Sequence, residues 1–224
     1  MNLILTSDFP FTANVAVVDR IRAAAAAPRI AWIPPFTDKD GGQFAEAGRR
    51  FGEVGFTELE HIDIDEDLDQ VQLAYLHEFD VIYLSAGDPV RFRYNAIRAG
   101  LAGRLRQCVS HGRLIVAASG GALLLTPNVS LFRLESESVE QVVATRGRFS
   151  AIGAVSYEVL PHVNRRETGF IDKVLRYSNE AGTDVVALAD GAALFATSRD
   201  VFEHVGTVTR YRRGEIIATD AHAE

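Results

Sequence analysis

Residues 113–125 read Arg-Leu-Ile-Val-Ala-Ala-Ser-Gly-Gly-Ala-Leu-Leu-Leu, so a buried strand runs straight into Ser119 and an apolar helical pattern starts just beyond it. A sharp strand-to-helix turn aims such a hydroxyl outward, near the positive end of the following helix, as a serine nucleophile requires. The turn draws the backbone on either side of the serine together, which demands small neighbours; Ala117, Ala118, Gly120 and Gly121 meet that demand. The Gly120 N–H is left free to stabilise an oxyanion. A serine that merely caps the helix 120–125 is the plainer alternative.

A serine nucleophile needs a base, and the base needs an acceptor that orients it. Six histidines compete. His61 and His77 precede strands or sit late in amphipathic helices, and His111 lies at the opposite end of the Ser119 strand. His162 follows the apolar-rich run 154–161, where a strand gives way to a loop before a helix beginning near Arg166. Asp190 follows the apolar run 185–189 and precedes Gly191, a pair that also suits a plain turn. Parallel strands share one carboxyl edge, so Ser119, His162 and Asp190 are each expected at the rim where open α/β sheets bind ligands. A fourth strand, 81–84, leads into Ser85-Ala86-Gly87-Asp88-Pro89. The Gly87 N–H is the expected second oxyanion donor. Asp88 stands either beside the substrate or as the cap of a proline-started helix.

The elements that must position these groups read as alternating strands and helices. Runs at 3–5, 30–33, 81–84, 114–118 and 185–188 are apolar on consecutive residues, as strands covered on both faces are. Helical patterns fall at 14–26, 43–51, 68–77, 89–106 with an interruption at Gly100, and 166–177. From Val201 onward the pattern changes to short strands and a turn at Arg213-Gly214, an antiparallel edge, and 220–224 read as a frayed end. The expected fold is α/β: a three-layer sandwich with a mostly parallel central sheet, helices on both faces and antiparallel strands near the C-terminus, in one domain spanning 1–224.

Composition narrows the function classes. The 224 residues carry 30 acidic and 23 basic side chains, a net charge of −7, which repels a phosphate backbone and argues against nucleic acid as a partner. The single cysteine, Cys108, excludes an internal disulfide and a cysteine-based zinc site, and it falls in a helix well before the elbow. No apolar stretch approaches the ~18 residues of a membrane helix, and the opening residues read as a strand rather than a leader. A reducing, cytoplasmic setting is expected. The acidic run 61–69 begins like a calcium loop, but the sixth position from Asp63 is Leu68 and the twelfth is Ala74, so it reads as a strand end followed by an acidic helix start. No glycine-rich phosphate motif appears, and neither a metal nor a cofactor is expected.

Four stations together resemble one family: the strand and loop ending in Gly87-Asp88, the elbow Ala118-Ser119-Gly120-Gly121-Ala122, the strand end Leu160-Pro161-His162, and Ala187-Leu188-Ala189-Asp190-Gly191. They are similar to those of the serine peptidases of the aspartyl dipeptidase (peptidase E) and cyanophycinase type, which share a fold with class I glutamine amidotransferases. Ala117 and Gly120 depart from the usual elbow pattern of that family. The resemblance implies that Ser119 attacks a peptide carbonyl, His162 moves the proton and Asp190 fixes the imidazole tautomer. It also implies a small peptide substrate with an aspartyl residue beside the cleaved bond, gripped by a cation, with Arg166 first and Arg165 second as candidates. A monomer or homodimer is expected. Two other readings stay open: an α/β-hydrolase esterase using Ser119, Asp190 and then His204 or His222, and a non-catalytic binding protein on the same fold.

Overall fold

The structure is a computed structural model that describes residues 2–8, 14–66 and 70–217. In chain order the elements are β1 (Leu3–Thr6), α1 (Val15–Ala24), β2 (Ile30–Ile33), α2 (Gly42–Glu53), β3 (Leu59–His61), α3 (Gln70–Ala74), β4 (Val81–Leu84), α4 (Pro89–Arg98) and α5 (Leu101–Ser110). They continue with β5 (Leu114–Ala118), α6 (Gly120–Leu125), α7 (Val139–Thr145), β6 (Glu158–Leu160), α8 (Thr168–Glu180), β7 (Val185–Leu188), β8 (Ala193–Ala196), β9 (Phe202–Val205), β10 (Val208–Arg212) and β11 (Glu215–Ile217). The helical stretch expected over 89–106 divides at Gly100, whose φ of 67° is the left-handed geometry that ends one helix and starts the next. The expected helix at 68–77 is shorter, Gln70–Ala74, followed by the separate turn Leu76–Glu78; its first residues lie outside the described residues, as does the C-terminal end 220–224.

A seven-stranded sheet has the order β3-β2-β4-β5-β1-β8-β9, with its first five strands parallel and the last two antiparallel. Alternate residues of each strand face opposite cores, as the two-residue pleat requires. Ile4, Trp32, Tyr83 and Val116 pack with Val17 and Ile21 of α1 and Phe51 of α2, while Leu5, Ile33, Leu84 and Ile115 pack with Phe92, Leu105 and Leu124 from α4, α5 and α6. Helices therefore cover both faces, which is why these strands are apolar at every position.

The strand 185–188 is not in that sheet, contrary to the reading that placed it with the central parallel strands. It forms a second sheet of order β11-β10-β7-β6, in which β6 and β7 run parallel and β10 and β11 are antiparallel. Val186 and Leu188 join the core beneath the large sheet, whereas Val185 and Ala187 face Val142 of α7 and Val174 of α8. The second sheet is thus also covered on both faces, so its strands carry the same apolar signature. Among the described residues no helix is long and apolar enough to cross a membrane.

Candidate active site

Ser119 sits between the last residue of β5 and the first of α6 with φ 48° and ψ −111°, a conformation that a side-chain-bearing residue adopts only under constraint. The constraint is visible on both sides. The Ser119 N–H donates to the Thr6 carbonyl at 2.9 Å, which continues the β1–β5 ladder, and Leu123 N–H returns to the Ser119 carbonyl at 3.1 Å. Small residues follow for a steric reason: a Cβ on Gly120 would stand 2.0 Å from the Gly87 carbonyl oxygen, and one on Gly121 would stand 2.5 Å from that of Leu84. The loop after β4 is therefore pressed against the elbow. Gly87, at φ 139°, has no room for a side chain either, because Pro35 would lie 2.6 Å from its Cβ. Neither the Gly87 nor the Gly120 N–H donates to another described residue.

His162 follows β6 in the left-handed conformation, φ 59°, which turns its ring back over the sheet edge toward Ser119. Its Nε2 lies 3.1 Å from Ser119 Oγ and its Nδ1 lies 2.6 Å from Asp190 Oδ1. Asp190 follows β7, the parallel neighbour of β6, so the two side chains leave adjacent strand ends. The three residues expected at one rim thus meet in series, but the rim joins two sheets: Ser119 comes from the large one, His162 and Asp190 from the small one.

Asp190 is the most heavily bonded group of the site. Oδ1 accepts from His162 and from the Ser7 hydroxyl at 3.2 Å; Oδ2 accepts from Asn164 Nδ2 at 3.2 Å and Arg165 Nε at 2.5 Å. Burial alone pushes its carboxyl up, but the bonds from His162, Arg165 and Asn164 prevail and hold it down at about 2. The carboxylate is therefore charged wherever the protein is folded at ordinary pH. Ser7, fully buried, accepts the His162 backbone N–H at 2.8 Å while donating to Asp190, so one hydroxyl ties β1 to both partners. Ser7, Asn164 and Glu135 are absent from the residues expected at the site. Ser7 carried one usable signal, a polar residue directly after a central strand at the carboxyl edge; the others carried none.

A pocket of about 90 Å³ opens beside Ser119, with Gly87, Gly120 and His162 on one side and an apolar wall that includes Leu123, Leu131, Phe132 and Phe170. Arg166 reaches this pocket as expected. Its guanidinium lies against Phe170, pairs with Glu135 at 2.6 Å and keeps a buried Nε without a hydrogen-bond partner. Arg165 does not face the pocket. It is spent on Asp190, because the helical turn Val163–Arg165 directs its side chain to the acid side of His162. Asp88 takes the capping role: its Oδ1 accepts the Val90 and Arg91 N–H groups at the start of α4.

Alternative chemistries fit poorly. Cys108 is buried in α5, and burial pushes its thiol up to about 11, so no thiolate is available at neutral pH. His204 lies on β9 opposite Leu194, whereas Asp190 is bonded to His162; His222 lies outside the described residues.

Comparisons with known proteins place the chain among peptidases. An uncharacterized peptidase of Listeria monocytogenes is 22% identical over 202 residues, spanning 89% of this chain and 96% of the relative. An uncharacterized peptidase of Pasteurella multocida is 30% identical over 104 residues, 44% of this chain and 49% of the relative. Among solved structures, a peptidase from an acI-B1 actinobacterium superposes with a TM-score of 0.74 at 19% identity, covering 99% of this chain and 95% of the other. A Listeria monocytogenes protein assigned as peptidase E gives 0.66 at 21% identity, covering 94% and 98%. Peptidase family S51 matches residues 3–203, from the first strand of the large sheet to its last. With an elbow serine at the meeting of its two sheets and a family match across nearly the whole chain, the protein belongs to peptidase family S51 and is a serine peptidase.

Proposed function

We propose that the protein hydrolyses short peptides that carry an aspartyl residue next to the cleaved bond, acting as an exopeptidase or dipeptidase through Ser119, His162 and Asp190. The observation that carries the reading is the unbroken series from Ser119 Oγ to His162 Nε2 at 3.1 Å and from His162 Nδ1 to Asp190 at 2.6 Å, opening onto a pocket that contains Arg166.

The steps follow from the donors and acceptors. Ser119 Oγ bonds to the peptide carbonyl carbon as its proton passes to His162 Nε2, and the negative charge on the carbonyl oxygen is met by the Gly87 and Gly120 N–H groups. Collapse breaks the C–N bond, and the imidazolium returns its proton to the leaving amine. A water then repeats the sequence on the acyl-enzyme. Asp190 keeps the proton on Nδ1 throughout, and the Ser7 and Asn164 contacts hold that carboxylate in place.

Specificity rests on the Arg166–Glu135 pair. An amino-terminal aspartyl residue carries a carboxylate and an ammonium; Arg166 takes the first and Glu135 the second, so a zwitterion exchanges with a zwitterion and no charge is left buried alone. The small volume of the pocket suits one residue rather than a chain running through it.

A panel of Asp-X, β-Asp-Arg and neutral dipeptides, run beside Ser119→Ala, tests the reading. Asp-X peptides are expected to be cleaved, and Arg166→Ala to raise KM for them by roughly tenfold or more while leaving neutral peptides little changed. Cleavage surviving in Ser119→Ala removes the serine, and equal rates on Asp-X and Ala-X remove the aspartyl preference.

A further inference from the structure

The last residue of β1 and the residue after it touch both halves of the site. The Thr6 carbonyl accepts the Ser119 N–H at 2.9 Å, and the Ser7 hydroxyl oxygen accepts the His162 N–H at 2.8 Å. Two consecutive residues of β1's end thus fix Ser119, which leaves the large sheet, and His162, which leaves the small one. Ser7 is itself held in place: its N–H donates to the Ala192 carbonyl at 3.3 Å and its side chain is fully buried.

His162 needs such an anchor. Its φ of 59° lies in the left-handed region, which a residue with a Cβ enters only when its surroundings hold it there. Among the described residues the His162 N–H donates to no backbone carbonyl, so the Ser7 oxygen is the acceptor that the turn relies on. The bonds around Ser7 then close without remainder, because a hydroxyl has one proton and two lone pairs. The proton goes to Asp190 Oδ1 at 3.2 Å, one lone pair takes the His162 N–H, and the other faces His162 Nδ1 at 3.3 Å. A ring proton on Nδ1 meets Asp190 Oδ1 at 2.6 Å and finds the Ser7 oxygen as a weaker second acceptor. The other tautomer would turn a lone pair toward the carboxylate and compete with Asp190 for the single Ser7 proton.

We propose that Ser7 is a positioning residue of the peptidase, which holds the left-handed backbone of His162 so that the ring stays aligned with Ser119 and keeps its proton on Nδ1. The assignment rests on the reading of Ser119, His162 and Asp190 as the catalytic series. Ser7 touches no substrate, being fully buried and absent from the lining of the Ser119 pocket. Without its hydroxyl the His162 N–H loses its acceptor, the left-handed turn loses its anchor, and the ring moves off Ser119, while the pocket around Arg166 keeps its walls.

Ser7→Ala tests this, measured beside the parent and Ser119→Ala on an Asp-X peptide and with a fluorophosphonate, with folding checked by circular dichroism. In Ser7→Ala kcat is expected to fall about 10- to 100-fold with KM within about twofold of the parent, and the rate of Ser119 labelling to fall in parallel. Labelling reads the alignment of hydroxyl and imidazole whichever peptide is the substrate. Ser7→Cys, close to serine in volume but with a weaker donor and acceptor, is expected to fall between Ser7→Ala and the parent. Parent-like kcat and labelling in folded Ser7→Ala overturn the assignment and leave the catalytic series standing. A loss carried by KM with kcat unchanged also overturns it, because the pocket rather than the base would have moved. Failure of both variants to fold overturns it too, since the hydroxyl would then serve the fold. Labelling or cleavage that survives in Ser119→Ala removes the catalytic series itself, and the role of Ser7 with it.

Discussion

The two sheets contribute to the Ser119 site in different physical ways. The large sheet delivers Ser119 by steric necessity: Gly120 and Gly121 are jammed against the backbone carbonyls after β4, and the strained turn has nowhere else to go. The small sheet delivers His162 and Asp190 through polar contacts, with Ser7, Asn164 and Arg165 converging on one carboxylate. Even the strand beneath His162 is pinned by charge. Glu158 of β6 is fully buried and accepts from Arg146 at 2.5 Å and from the Tyr177 hydroxyl at 3.0 Å. Packing thus sets Ser119, and hydrogen bonding sets His162 and Asp190. Substitutions on the two sides should therefore fail differently, one through shape and the other through proton handling.

The largest expected effect tests the nucleophile itself. Ser119→Ala should lower kcat for peptide cleavage by roughly 10³-fold or more and abolish fluorophosphonate labelling, with thermal stability little changed because alanine keeps the Cβ and the same strained backbone. Next is Asp190→Asn, which keeps the shape of the acid side and removes its charge. A loss of roughly 10²- to 10⁴-fold in kcat with little change in KM is expected. If kcat for Asp190→Asn stayed near the parent value, the polar half of the comparison would collapse.

How much of this arrangement was legible follows the same division. The strands at 30–33, 81–84, 114–118 and 185–188 could be read because each is apolar at every position and flanked by turn or helix signals. The elbow could be read because close approach of backbones leaves a trail of small residues around Ser119. Which sheet a strand joins leaves no such trail: Val185–Leu188 is buried on both faces wherever it sits, so its membership of the small sheet was invisible. Side-chain direction was equally hidden. Arg165 and Arg166 are neighbours in sequence, yet one turns to Asp190 and the other to the pocket, because the left-handed His162 starts a turn that spacing does not reveal. The strand Ala193–Ala196 escaped notice because its alanines carry little β signal, although it pairs with β1 along its whole length.

Gly120→Ala probes the packed half by shape alone. The nearest atom to the added Cβ is a backbone carbonyl oxygen at 2.0 Å, which cannot swing away as a side chain end can. The elbow and the Gly87 loop must separate, which should cost about 1–3 kcal/mol of stability and pull apart the two N–H groups assigned to the oxyanion. Activity is expected to fall about 10²-fold with the pH dependence of the remaining rate unchanged. A variant as stable and as active as the parent would show that the contact is not maintained in solution.

The smallest effect belongs to Arg165→Ala, and its value lies in its sign. Asp190 has a folded-state pKa of about 2, below the ordinary carboxylate value of about 3.9 that it takes when unfolded. A depressed carboxylate adds stability that is fully present above the unfolded pKa and is lost as pH falls from about 4 through about 2. Removing Arg165 takes away one donor while His162, Asn164 and Ser7 remain, so the Asp190 pKa should rise only part of the way back. The acid-unfolding midpoint should therefore move to slightly higher pH, and activity at neutral pH should fall no more than a few-fold. The effect stays small because the Arg165 side chain is 63% exposed and solvent screens it. Denaturation followed from about pH 5 to 2 in parent and variant measures it, and added salt should shrink the difference. A midpoint that moved to lower pH would mean that Arg165 opposes the charge on Asp190 rather than supporting it, and the hydrogen-bonded account of the small sheet would then need another donor in its place.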